Sequence, residues 1–110
     1  MNFNSNPYYH PENCGLSIFD QIDTAGSYEF DMFVIWTKED GTLWWATDLG
    51  CSCPTPFEDV REGDLNSITL ENFDNFDSEL KGHRNMSIDD YMQMSKRAKD
   101  YLKELQLQGK

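Results

Sequence analysis

Three observations in this 110-residue sequence predict an α+β fold. Apolar residues alternate with a period of two through its first two thirds, a tight-turn signal sits between two such runs, and the end carries a helical period of three to four. Together they describe an antiparallel β-meander of three to four strands packed against a long C-terminal helix, with a short helix before it. Hydrophobic residues make up 38% of the chain and aromatics 14%, enough to build a core, and the length allows one domain over 1–110. It divides into an extended arm (1–15), the sheet (16–70) and a helical segment (71–110).

The arm is rich in Asn, Pro and Tyr and reads as a loop. A strand is expected over 16–23, with Leu16, Ile18 and Ile22 on one face, ending at the turn Thr24-Ala25-Gly26. Tyr28 to Trp36 is the clearest strand. Tyr28, Phe30, Met32, Val34 and Trp36 share one parity, while the other runs Glu29, Asp31, Phe33, Ile35, polar first and then apolar. Such a strand is central, with its far half buried on both faces. Asp40-Gly41 turns the chain, because Gly takes positive φ cheaply, and the return strand covers 42–48. Gly50 to Pro56 is expected to leave the sheet, since Pro54 and Pro56 lack an N–H.

A further short strand is expected within 65–70. Leu70, Phe73, Phe76 and Leu80 then recur at helical spacing, with Gly82 as the stop. Ser87 is placed to cap the long helix, and Asp89 and Asp90 favour the positive end of its dipole. Its core-facing stripe is read as Ile88, Tyr91, Met92, Ser95, Ala98, Tyr101, Leu102 and Leu105.

Charge narrows the function. The formal net charge is −11, made of −12 over residues 1–85 and +1 over 86–110. An acidic body repels phosphate, so direct binding to nucleic acid or to an anionic membrane is not expected, and a partner with a basic surface is. No run is long and apolar enough to span a membrane, and the N-terminal residues lack a signal-peptide pattern, so a cytoplasmic location is expected.

Cys14, Cys51 and Cys53 are an odd set without a secretion signal, which argues against a disulfide framework. With His10 or His83 they offer donors for zinc, but Cys51 and Cys53 are separated by one residue where structural zinc pairs are separated by two or more. No metal and no cofactor are expected. The carboxylates Glu58, Asp59, Glu62 and Asp64 come without a His-Glu-x-x-His pattern or a phosphate-cradling loop, and a solvated acidic face accounts for them.

The segment Asp48 to Asp59 combines two thiols, two rigid prolines, Phe57 and the pair Glu58-Asp59. It reads either as a sheet-exit loop whose Phe57 plugs the edge of the core, or as a rigid recognition loop beside Tyr28, Trp44 and Trp45. On the second reading the binding residues are Tyr28, Trp44, Trp45, Asp48, Cys51, Cys53, Phe57, Glu58 and Asp59. No catalytic residues are assigned.

Residues 8–12, 27–31 and 48–59, above all Gly-Cys-Ser-Cys-Pro-x-Pro-Phe-Glu over 50–58, resemble a family of small acidic proteins encoded by bacteriophages of actinobacteria. The likeness spans roughly residues 8–60, and the chain after about residue 65 departs from the pattern. It implies a phage accessory protein acting in the host cytoplasm and carries no chemistry of its own. The leading expectation is a non-enzymatic protein that binds and modulates or inhibits a host protein, in a counter-defence role. Three others stand beside it. An acidic DNA mimic follows from the charge. A sponge for a nucleotide signal would use Arg61, Lys81 or Arg84 with Tyr28 or Trp44, and a zinc- or thiol-dependent hydrolase would use Cys51.

Overall fold

A computed structural model of the chain describes residues 6–25, 29–51, 56–57 and 62–108. Four antiparallel strands form one sheet in the order β1-β2-β3-β4, with β1 at Leu16–Asp23, β2 at Glu29–Lys38, β3 at Leu43–Cys51 and β4 at Asn66–Ile68. Two helices follow, α1 at Phe73–Lys81 and α2 at Ile88–Leu107. The fold is α+β, as the periodicities predict.

β2 supplies a core on each side of the sheet. Phe33 and Ile35, fully buried, join Leu43, Trp45 and Ile68 beneath Phe73, Phe76 and Leu80 of α1 and Met94, Ala98 and Leu102 of α2. On the opposite face Phe30, Met32, Val34 and Trp36 pack with Leu16, Ala46, Phe57 and Leu65. The alternation along β2 sorts its side chains between the two.

The β2–β3 hairpin turns at Asp40-Gly41, with Gly41 at φ 87°. Asp40 Oδ1 accepts from both the backbone N–H (3.0 Å) and the hydroxyl (2.6 Å) of Thr42, which holds its carboxyl below the usual carboxylate range. The tip rests on α2, where Tyr101 Oη donates to Gly41 O at 2.6 Å. α2 starts as its sequence suggests, with Ser87 Oγ accepting from Asp90 N at 3.1 Å.

Four expectations need correction. β3 does not stop at residue 48: Gly50 pairs with Phe30 and Cys51 with Glu29, because Gly50 still offers a backbone N–H to the ladder. β1 does not keep one parity. Ile18 pairs with Trp36 but Asp20 with Ile35, so Phe19 is an extra, bulged residue. Leu16 and Ile18 accordingly meet the second core, whereas Phe19 and Ile22 meet the helix-side core.

The stripe of α2 is rotated from the expected one. Met94 is buried, while Ile88 and Met92 are 62% and 58% exposed, because α1 and the sheet meet α2 along Tyr91, Met94, Ala98, Tyr101 and Leu102. Finally, the arm is part of the second core from Asn6 onward. Trp36 Nε1 donates to Pro7 O at 2.9 Å, and Asn6, 2% exposed, donates from Nδ2 to Pro56 O while its Oδ1 accepts from the N–H groups of Tyr8 and Tyr9. A 3-10 turn over Pro11–Cys14 then leads into β1.

β4 is a sheet edge, and edges invite pairing with other chains. Asn72, before α1, turns its side chain back instead of capping that helix: Oδ1 accepts from Thr69 N at 2.8 Å and Nδ2 donates to Ser67 O at 3.3 Å. A single carboxamide thus occupies backbone groups that a further strand would use.

Candidate recognition groove

Among the described residues β4 pairs only with 43–45 of β3, and the chain then leaves the sheet through Thr69, Leu70 and Glu71 to enter α1. The last turns of α2 lie against the same region. Between them is an open concavity of about 430 Å³. Leu43, Ile68 and Leu102, all buried, form its floor; Leu70 and Leu105, half-buried, form its walls. Thr42, Ser67, Thr69, Glu71 and Gln106 supply a polar rim. An apolar floor with a polar rim suits an apolar side chain presented by a partner.

Trp44, of the proposed recognition set, borders the groove by its place on β3, but its ring packs against the second core on the opposite face of the sheet. Its indole donates to Thr42 Oγ1 at 2.8 Å, and Lys38 Nζ sits 3.7 Å from the ring centre, which holds the ring rigid. Trp45, the next residue, points to the other side of β3 and stacks on Phe33 at 5.0 Å with 10° between the planes. Its Nε1 is buried without a hydrogen-bond partner among the described residues.

At the other end of β3, Asp48 fastens the proline-bounded segment: Oδ2 accepts from Phe57 N at 2.7 Å and Oδ1 from Leu49 N at 3.0 Å. Phe57 is fully buried, stacked near Tyr8 at 5.8 Å and edge-on to Trp36 at 5.4 Å, and it adopts φ 62°. Its ring is a plug of the second core rather than an exposed anchor. Tyr28, Cys53, Glu58 and Asp59 lie outside the described residues, and Cys51 is described only as the last backbone position of β3.

The structure also gathers ionisable side chains that the sequence reading did not connect. Asp31, 3% exposed, has its Oδ2 3.1 Å from Arg84 Nε, and His83 Nε2 lies 3.0 Å from its backbone O and 3.3 Å from Oδ1. The carbonyl acceptor makes Nε2 the protonated nitrogen, donating to Asp31 O with Oδ1 beside it. Asp23 Oδ1 accepts from Asp31 N, and Thr24 Oγ1 donates to Arg84 O, so the cluster staples the α1–α2 turn to the sheet. Of the cations proposed for a nucleotide pocket, Arg84 is therefore engaged with Asp31, and Arg61 lies outside the described residues. Asp31 and Trp36 are about 16 Å apart along β2 at the usual rise per residue, so Arg84 is far from Trp44, the partner of Trp36.

Asp77 joins the helices, accepting from Tyr91 Oη at 2.7 Å and Ser95 Oγ at 2.6 Å. The bond to Asp77 raises the Tyr91 phenol above its ordinary value. Arg97 on α2 holds Asp20 of β1 at 2.6 Å. Among the described residues no group of three His, Cys, Asp or Glu converges to hold a metal ion, and no helix is long and apolar enough to cross a membrane.

Residues 5–107 match the profile of a domain of unknown function, DUF7574. The chain belongs to this family. No curated protein and no solved structure matches it. The DUF7574 match runs through both helices and includes every residue that lines the groove.

Proposed function

We propose that this DUF7574 protein is a non-enzymatic interaction protein that binds a partner protein and modulates or inhibits it. The observation that carries this reading is the groove, where apolar side chains from β3, β4 and α2 surround an open concavity instead of closing over it. The resemblance of residues 48–59 to small acidic actinobacteriophage proteins supports a partner in the cytoplasm of a bacterial host, and a counter-defence role fits that setting. The formal charge of −11 favours a partner with a basic surface.

The test is affinity capture from actinobacterial lysate with the wild type and with Leu105→Asp, followed by reconstitution of the captured protein in pure form. A partner that binds the wild type and is lost by a folded Leu105→Asp variant supports the reading. Equal capture by both, or none, removes it. An acidic DNA mimic makes a different demand. Its binding would survive Leu105→Asp and weaken steeply with salt, because charge pairing alone would hold it.

A further inference from the structure

The chemistry around the groove narrows its occupant, and this step rests on the interaction reading above. We infer that the groove receives a partner segment that presents an apolar side chain next to a lysine or arginine.

The apolar half of this specificity comes from the lining. Leu70 and Leu105 leave room between them over a floor of Leu43, Ile68 and Leu102, so a Leu-sized side chain entering there loses its contact with water without meeting a charged group on the floor.

The cationic half comes from three features of the mouth. Glu71 stands on the rim and is exposed. α2 ends beside the groove at Leu107 with no basic residue in its last turn, so the negative end of its dipole lies at the mouth. Lys103 and Glu104, adjacent on α2, offset one another, which leaves the field of the −12 body over residues 1–85 to dominate the approach. An acidic or phosphorylated segment would meet all three as repulsion.

The probe is a short acetylated peptide with one leucine between lysines, titrated into the full-length protein and followed through backbone amide signals. Two control peptides replace the leucine by serine or the lysines by glutamate. The leucine–lysine peptide is expected to move the amides of 69–71 and 102–106 saturably. Each control, and the Leu105→Asp variant, should bind about tenfold or more weakly, the value of one buried Leu side chain or one lost charge match. Glu71→Lys should reverse the preference between the lysine and glutamate peptides.

Signals that move elsewhere, equal binding of the glutamate peptide, or indifference to Leu105→Asp would overturn the assignment. So would concentration-dependent dimerisation through these same amides, which would make a second copy the occupant. A lysate partner lost with Leu105→Asp but carrying no such segment would leave the interaction reading standing and sink this one.

Discussion

Phe57 separates two meanings of the proline-bounded segment, and a substitution there has a magnitude that can be worked in advance. The ring is fully buried between Tyr8 and Trp36. Truncating a buried Phe to Ala costs about 3–5 kcal/mol, the lost transfer energy plus the cavity left behind. An unfolding entropy of about 2.1 cal/mol/K per residue, over 110 residues, makes this a fall of about 13–22 °C in Tm. The backbone adds a second, unusual expectation. Because φ is 62°, Ala keeps the left-handed strain that Gly relieves, so Phe57→Gly should be the more stable of the two variants by about 1 kcal/mol. Thermal melts followed by circular dichroism, with guanidinium midpoints as a check, measure both. If Phe57→Ala melts within about 2 °C of the wild type, the ring is a surface contact and the plug reading fails.

Trp36→Phe and Trp45→Phe remove similar volumes, but Trp36 also gives up its bond to Pro7 O whereas Trp45 gives up an N–H with no partner among the described residues. Trp36→Phe should be the costlier by about 1–3 kcal/mol in denaturant titration. Tyr91 is raised above 10.0 by Asp77, so the neutral phenol is the form the fold favours. Its contribution is complete below pH 10 and is lost as pH rises through the higher folded value; the stability gap between wild type and Tyr91→Phe should narrow there. Ser87→Ala should cost about 1 kcal/mol by removing the cap of α2. Asn72→Ala frees Ser67 O and Thr69 N, and should give concentration-dependent association in light scattering while the wild type gives none.

Local signals made most of the fold legible. The alternation of β2, Asp40-Gly41 at the hairpin and Ser87 before α2 each act over a few residues, and each appears where it was expected. What escaped depends on contacts between distant segments. Nothing near Asn6 or Pro7 in sequence signals that Trp36 will claim the Pro7 carbonyl, and the exposure of Ile88 and Met92 follows from where α1 lands on α2. Trp44 and Trp45 look like a pair in the chain, yet a strand sends them to opposite cores. The groove draws on residues 42–44, 67–71 and 102–106, and so has no signature in any one stretch. Asp31 meets His83 and Arg84 across more than fifty positions, which no spacing rule reaches.

The bulge at Phe19 gives β1 slack. Pairing on either side of it is regular, with Leu16 to Ile18 against Lys38 to Trp36 and Asp20 to Asp23 against Ile35 to Met32. Losing that one residue would straighten the ladder while every downstream neighbour kept its opposite number. The toll would be limited to the ring that rests on Tyr101. β2 holds no such spare position against either neighbour from Ile35 to Met32, so a deletion there would throw both interiors out of step. In this domain tolerance to changes in chain length belongs to the outer strand, and the middle one must be kept to the residue.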